Sequence, residues 1–281
     1  MIGAANPAQH ISLSRTEVLE RRLAAAGLDW IVPHWPAPAD VVALTTTRVR
    51  ERDATIMASE PTVRPMTEDA SGAIADTCAL AAFVPSPPIW LKQVHGTSVA
   101  VLDQTSIIAA RKTPPVADAA VTRLRGVVCA VETADCLPVL FADRHGGAIG
   151  VAHAGWRGLS AGVLEATVSA LLAQNANADN LIAWLGPAIG PAAFEVGSDV
   201  VSAFCAHDHG AETCFALLRE GKWRADIYSL ARRRLAAVGV HDVKGGGWCT
   251  FSDAARFYSY RRERKTGRMV TLVWLADDTK L

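Results

Sequence analysis

The chain of 281 residues carries 28 basic and 28 acidic side chains, so its formal net charge is zero, and 50% of its residues are hydrophobic. This composition is typical of a globular protein with a large core, and the length fits one α/β domain. The balanced charge argues against a nucleic-acid partner, and the apolar runs are too short to cross a membrane.

The N-terminal residues 1–27 predict a short amphipathic leader helix. Ser14 and Glu17 fit a capping box, and Gly27 stands where a left-handed cap would end the helix. The first ten residues lack the basic start, apolar run and cleavage site of a secretory signal. We therefore expect a cytoplasmic protein whose six irregularly spaced cysteines are reduced.

The elements that follow the leader are separated by an irregular stretch. Residues 41–47 are rich in β-branched side chains and predict a strand. Residues 48–88 mix charged residues with Ser, Thr and Pro, which predicts a surface excursion with one helix at 74–83.

Clear periodicity begins near residue 127. Apolar runs of strand length occur at 127–132, 137–141, 148–153, 181–185 and 269–275, and helical spacing occurs at 160–173 and 226–237. Strands and helices alternate without a glycine-rich turn of the dinucleotide or P-loop type. Residues 28–281 are therefore predicted to form a single α/β domain built in layers.

Three residues that can bind a metal lie at strand ends or beside glycine. Cys136 lies at the junction of two predicted strands, His153 ends the next strand, and His95 directly precedes Gly96. Taken singly, a buried core cysteine or a hydrogen-bonded structural histidine explains each of them. Together, two nitrogens and one sulfur leave the fourth tetrahedral position open, which is the pattern of a catalytic zinc site.

Longer strings of the chain carry a family resemblance. They are LKQVHG (91–96), ADAAVT (117–122), TADCLPVLF (133–141), VAHAGWRGL (151–159), LGPAIGP (185–191), FEVG (194–197) and FYSYRRERKTGRM (257–269). From about residue 28 to 275 the chain closely resembles the bacterial multicopper polyphenol oxidase, or laccase-domain, family. Its members are also described as purine nucleoside phosphorylases with adenosine deaminase activity and as peptidoglycan editing factors.

The resemblance implies a fold, a ligand set and an activity. The fold is a layered sandwich of two central mixed β-sheets flanked by helices. The metal ligands fall on His95, Cys136 and His153, with zinc as the expected ion and copper as the alternative. The expected substrates are phosphate and a purine nucleoside, namely adenosine, inosine, guanosine or S-methyl-5'-thioadenosine, and adenosine is also expected to be deaminated. The oligomeric state stays open.

Further residues are assigned roles by the same strings. Asp135, beside Cys136, is the first candidate for proton transfer, and Asp118 is the alternative. Asp118 is also a candidate for contacting the substrate. The substrate-binding candidates are Arg48, Arg157 and Arg261, which would grip phosphate through planar guanidinium groups, and Cys249, which corresponds to a family Cys-Thr pair at the pocket. A salt-bridged surface arginine and a structural thiol are the alternatives.

Two other enzyme classes and a noncatalytic binding module compete with this hypothesis. Cys136 and His153 could form a thiolate nucleophile and base of an amidohydrolase that edits cell-wall precursors. A copper oxidase with four copper ions needs roughly ten histidines. The whole chain has 8, so a conventional laccase is disfavoured. The open ligand position weakens the binding-module alternative.

Overall fold

The fold was analysed in a computed structural model, which describes residues 13–48 and 79–277. Residues 49–78 of the surface excursion predicted at 48–88 lie outside the described residues, and so do Cys78 and the start of the helix predicted at 74–83. No described helix has both the length and the apolar character that crossing a membrane requires.

The described chain contains both strands and helices, and the four strands between residues 119 and 154 follow one another without a helix between them. The strands are β1 (Val41–Thr45), β2 (Val99–Leu102), β3 (Ala119–Thr122), β4 (Cys129–Thr133), β5 (Leu137–Asp143), β6 (Ile149–Ala154), β7 (Leu181–Leu185), β8 (Glu195–Gly197), β9 (Phe215–Arg219), β10 (Lys222–Ala225), β11 (Asp242–Gly245) and β12 (Met269–Leu275). The α-helices are α1 (Arg15–Ala25), α2 (Ser106–Lys112), α3 (Trp156–Ala161), α4 (Val163–Leu172), α5 (Ser198–Cys205), α6 (Ile227–Ala237) and α7 (Tyr260–Glu263).

The strands form three sheets. The largest has six strands in the order β11-β7-β5-β6-β3-β2 and mixes parallel with antiparallel pairs. A second sheet has the antiparallel order β1-β12-β4. A small third sheet, β8-β10-β9, is antiparallel as well.

The two larger sheets are stacked and covered by helices. Val131 of β4 and Val151 of β6 share one buried cluster, which fills the space between the sheets. On the far side of the six-stranded sheet, α4 and α6 pack on residues such as Val139. On the far side of the three-stranded sheet, Leu19 and Leu23 of α1 pack on β1 and β12. The resulting helix-sheet-sheet-helix order confirms the predicted layered α/β fold.

Several predicted elements have the predicted bounds, and one needs correction. The strands predicted at 181–185 and 269–275 are β7 and β12, and the capping box of Ser14 and Glu17 starts α1. The prediction of one continuous helix at 160–173 is wrong, because two helices, α3 and α4, cover this stretch. Gly162 has a φ of 105°, in the left-handed region, and separates α3 from α4. Helical periodicity continues across this break, so the pattern alone does not show it.

Candidate metal centre

Strand pairing brings Cys136 and His153 together. β5 and β6 are antiparallel neighbours, and Leu137 pairs with Ala154 while Pro138 pairs with His153. Cys136 directly precedes β5 and therefore lies beside the end of β6. His153 is on the same side of β6 as Val151, which packs in the layer between the sheets. The adjacency predicted from the sequence is thus confirmed, and both side chains lie at one end of the inter-sheet space.

His95 reaches the same place from a tight loop. Its φ of 60° lies in the left-handed region, where few residues other than glycine are found. The Asp118 carboxylate holds the loop by accepting three backbone hydrogen bonds, from Val94 at 3.2 Å, His95 at 2.9 Å and Gly96 at 2.7 Å. The strained conformation is therefore fixed by one buried acid.

A glutamine in the same loop adds a second anchor. The side-chain amide of Gln93 donates to the carbonyl of Glu132 at 2.9 Å and accepts from its N–H at 2.8 Å. The side-chain amide of Gln93 thus forms two hydrogen bonds with the backbone of β4, as a neighbouring strand would. Sequence reasoning did not single out Gln93, although it lies in the LKQVHG string, because the partner is the backbone of a distant strand.

The three candidate ligands form one compact group. One ligand atom from each of His95, Cys136 and His153 lies within 4.8 Å of the others. Cys136 Sγ is 3.7 Å from Nε2 of His95. The centroids of the His95 and His153 rings are 4.7 Å apart, and the rings meet edge to face. Two ligand atoms on one tetrahedral metal ion are roughly 3.5 Å apart, so the group fits a single ion.

Exposure changes steadily across the group. His153 is buried, Cys136 is half-buried and His95 is exposed. One side of the group is therefore anchored in the core, and the other faces solvent. A centre closed by four protein ligands would lack such an open side, which a substrate could use to approach a bound ion.

The imidazole of His153 is oriented by Asp118. Nδ1 of His153 lies 2.8 Å from Oδ1 of Asp118, and neither side chain is appreciably exposed. This contact leaves Nε2 of His153 for a metal ion, as in many carboxylate-histidine-metal arrangements. Asp118 therefore supports both histidines, which favours an orienting role over the substrate contact predicted from the sequence.

The buried charges reinforce one another. Burial acts to raise the pKa of Cys136, but the attraction of His153 and His95 outweighs it, and the pKa lies below its ordinary value. Burial acts to lower the pKa of His153, but Cys136 and Asp118 hold it above its ordinary value. The site thus favours a thiolate, the form of cysteine that binds metals and acts as a nucleophile.

Glycine is required beside the ligands for steric reasons. A Cβ atom on Gly155 would lie 2.9 Å from Sγ of Cys136 and 2.8 Å from Cδ2 of His95. A Cβ on Gly158 would lie 2.8 Å from the carbonyl oxygen of Gly96. The glycines of the VAHAGWRGL string therefore let α3 pack directly against the candidate ligands.

Asp135 does not join the ligand group. Its Oδ1 accepts the hydroxyl hydrogen bond of Thr250 at 2.6 Å, and its Oδ2 accepts the backbone N–H of Arg261 at 2.6 Å. Its φ of 92° places it in a left-handed turn rather than in a strand. The sequence prediction that it moves protons stays untested, but both of its oxygens already have partners.

The three arginines predicted to bind phosphate differ in whether their guanidinium groups already have partners in the protein. Arg48 pairs with Glu263 at 2.5 Å and lies over the Tyr258 ring. Arg261 donates to the Glu195 carbonyl at 2.9 Å and is exposed.

Arg157 lies in the first turn of α3, close after the end of β6, the strand that carries His153. Its guanidinium carbon Cζ lies 4.4 Å from the centroid of the Trp156 ring. Within the described residues Arg157 forms no ion pair. Of the three arginines, Arg157 is therefore the most available for an anion.

Cys249 lies in a separate thiol environment. Its Sγ accepts the N–H of Gly190 at 3.3 Å. Burial acts to raise its pKa, but hydrogen bonds from Ser252, Gly190 and Phe251 hold it below the ordinary value. Cys249 is not part of the three-residue metal group, and its predicted contact with substrate stays a proposal.

Comparison with known proteins identifies the family. Residues 62–276 match the family model described as multi-copper polyphenol oxidoreductase laccase. The chain belongs to this family. The family resemblance predicted from the sequence strings is thus confirmed.

Relatives in this family carry a more specific name. A Pseudomonas aeruginosa protein named purine nucleoside phosphorylase is 47% identical over 249 residues, covering 88% of this chain and 99% of its own. The Escherichia coli protein named purine nucleoside phosphorylase YfiH is 45% identical over 252 residues, covering 87% and 98%. A crystal structure of a Neisseria meningitidis family protein matches with a TM-score of 0.76 and 39% identity, covering 89% of this chain and all of that one.

Proposed function

We propose that the chain is a zinc-dependent purine nucleoside phosphorylase. Its substrates would be phosphate and adenosine, inosine, guanosine or S-methyl-5'-thioadenosine, and it would also deaminate adenosine. The observation that carries this proposal is the convergence of His95, Cys136 and His153 in a chain whose relatives are named purine nucleoside phosphorylases.

The donor set supports zinc as the ion. Two imidazoles and one thiolate, with one side facing solvent, match the ligands of catalytic zinc sites. When bound there, zinc would supply a Lewis acid that polarises oxygen atoms. Copper(II) binds nitrogen and sulfur donors more tightly than zinc, so metal availability decides between the two.

The protein side chains would orient and bind the reactants. Asp118 holds His153 and the His95 loop, so the ligand geometry is set before any substrate enters. Arg157 and Arg261 carry exposed guanidinium groups that suit bidentate recognition of phosphate. Arg48 contributes less directly, since Glu263 already neutralises its charge.

A direct assay tests the proposal. Purified protein is incubated with phosphate and each nucleoside, with and without a chelator, and the products are separated. We expect the free purine of each nucleoside with ribose 1-phosphate, or with 5-methylthioribose 1-phosphate from S-methyl-5'-thioadenosine, together with inosine and hypoxanthine after deamination of adenosine, and none of them after zinc removal. Cys136→Ala should match the chelated protein, whereas Cys205→Ala, at the end of α5, should match the wild type. A metal-loaded wild type that forms none of these products refutes the proposal.

The second candidate is an amidohydrolase with Cys136 as nucleophile. Asp118, His153 and Cys136 form an acid-imidazole-thiol series in which the thiol pKa is lowered. Such an enzyme would release an incorrect amino acid from a cell-wall precursor by hydrolysing its amide bond. Chelation separates the two candidates, because a thiolate nucleophile keeps its activity without metal and a zinc-dependent phosphorylase does not.

A multicopper oxidase finds less support despite the family description. The described residues contain one group of three metal-binding side chains, and the full chain has 8 histidines. A blue-copper site plus a trinuclear cluster needs roughly ten.

A further inference from the structure

The turn before Cys136 is strained and strongly held. Asp135 has a φ of 92°, and the cysteine that follows is a candidate metal ligand. A non-glycine residue keeps such a conformation only when its surroundings fix it. The contacts of Asp135 therefore show what this turn is built to connect.

Asp135 joins three segments that are far apart in the sequence. Its carboxylate accepts the Thr250 hydroxyl and the Arg261 backbone N–H, each at 2.6 Å, and its carbonyl accepts the N–H of Ile189 at 3.0 Å. Thr250 and Arg261 are 115 and 126 residues from Asp135 along the chain. One residue thus links the Cys136 turn to the LGPAIGP loop, to the Thr250 segment and to the start of α7.

The Thr250 end of this link is firmly anchored. Thr250 is fully buried, and its N–H donates to the Ala188 carbonyl at 3.0 Å. The Arg262 guanidinium donates to the carbonyls of Thr250 at 2.7 Å and Phe251 at 2.8 Å. Asp135 is therefore bonded to a segment with little freedom to follow it if it moves.

The Arg261 end carries an exposed cation. The backbone N–H of Arg261 is bonded to Asp135, while its guanidinium donates to the Glu195 carbonyl at 2.9 Å and lies over the Phe194 ring. The backbone bond therefore fixes where the side chain leaves the protein. Since Asp135 precedes Cys136, the same residue sets the positions of the thiol and of this cation.

We infer that Asp135 is a positioning residue that holds Arg261 in register with Cys136 for phosphate binding. Both of its carboxylate oxygens already accept short hydrogen bonds from distant segments, which favours a role in holding these segments together over a role in proton transfer. This inference rests on the proposed phosphorolysis.

The central variant is Asp135→Asn. Asparagine keeps the size but has one acceptor oxygen in place of two, so it cannot accept the Thr250 hydroxyl and the Arg261 N–H at the same time. We expect KM for phosphate to rise about tenfold, kcat and the nucleoside KM to change less than about threefold, and zinc content to stay at the wild-type level. Arg261→Ala should then add little in the Asp135→Asn background, because both changes remove one interaction.

Two further variants serve as comparisons. Thr250→Val removes the hydrogen bond to Oδ1 of Asp135 and keeps the bond from the Arg261 N–H to Oδ2. The rise in phosphate KM should therefore be smaller, about threefold. In the Arg261→Ala background, Thr250→Val should cause no further rise. Asp208→Asn is the matched control, since Asp208 also holds a turn, through Gly210, and an arginine, Arg233, without a link to the site. It should leave phosphate KM unchanged. Thr250→Val decides the question if Asp135→Asn does not fold.

The alternatives give different results. A proton-transfer role predicts a fall in kcat at unchanged phosphate KM and the loss of one limb of the pH-rate profile. A role in folding alone predicts a rise in both substrate KM values with additive effects of Arg261→Ala. Either result overturns the inference.

Phosphate binding measured by calorimetry separates this inference from the proposed function. If the wild type cleaves no nucleoside, the proposed function fails, and about tenfold weaker phosphate binding by Asp135→Asn still supports the link. Equal phosphate affinity in the two proteins, or none in the wild type, overturns it.

Discussion

Nδ1 of His153 lies 2.8 Å from Oδ1 of Asp118 in the buried interior, and this contact joins the two histidines of the candidate metal centre. The same carboxylate accepts the backbone N–H of His95. One acid therefore orients one imidazole directly and places the other through its loop. Conserving charge at position 118 should matter more for metal binding than for folding.

Asp118→Asn should weaken zinc binding about 10- to 100-fold, the range found when a carboxylate behind a metal-binding histidine is removed. The amide cannot accept all of the N–H donors that converge on Asp118, so the His95 loop and the His153 ring lose their alignment. Competition with a chelator of known affinity measures the effect. Asp226→Asn, at the N-cap of α6, is the control. Unchanged zinc affinity in Asp118→Asn would contradict the role given to this acid.

Gly155→Ala should abolish metal binding in a folded protein. The new Cβ would fall 2.9 Å from Sγ of Cys136 and 2.8 Å from the His95 ring, so both ligands must move. Gly96→Ala is the matched control, because its Cβ would meet its nearest atom, Oδ2 of Asp118, at an ordinary 3.5 Å. Cobalt substitution checks the result, since the thiolate-to-cobalt absorption should be lost in Gly155→Ala and kept in Gly96→Ala. An unchanged spectrum in Gly155→Ala counts against the described geometry.

Arg157→Lys should raise KM for phosphate about tenfold and leave the inosine KM unchanged. Lysine keeps the charge but lacks the planar fork that binds two phosphate oxygens, and it stacks less well on Trp156. Arg123→Lys, whose arginine donates to the Gln174 carbonyl, is the control. Steady-state kinetics with each substrate varied in turn make the measurement, and a rise confined to the inosine KM would move Arg157 to the nucleoside subsite.

Glu263→Gln should lower stability at neutral pH but not in acid. Burial acts to raise the pKa of Glu263, but hydrogen bonds from Arg48, Thr266 and Arg262 hold it below its ordinary value. A lowered folded-state pKa stabilises the protein above the ordinary glutamate pKa, and this contribution disappears as the pH falls through the folded-state value. Urea unfolding should show a loss of about 1 kcal/mol at neutral pH. A loss that persists undiminished at acid pH would exclude this ion-pair explanation.

The fold was most predictable where burial is continuous along the strand. β7 and β12 are buried at every position, and their apolar runs gave the correct bounds. β3 was missed although its ADAAVT string was noted, because four residues of mainly small side chains carry little periodicity. β9 and β10 were missed because most of their residues are exposed.

The candidate ligands were predictable, but their supports were not. His95, Cys136 and His153 are residue types that suggest metal binding on their own. The position of Asp118 behind His153 depends on the pairing of β3 with β6, which sequence spacing does not reveal. The prediction that Asp135 moves protons rests on its place beside Cys136 and stays untested, but sequence spacing does not reveal the left-handed turn that directs its carboxylate to Thr250 and Arg261.

Zinc content measured by elemental analysis in the wild type and in Cys136→Ala tests the metal centre most directly. The wild type should contain one zinc per chain, and Cys136→Ala should contain almost none while its circular dichroism and unfolding temperature stay close to wild-type values. Cys205→Ala should keep its zinc. Undiminished zinc in Cys136→Ala would show that these three side chains do not bind the ion.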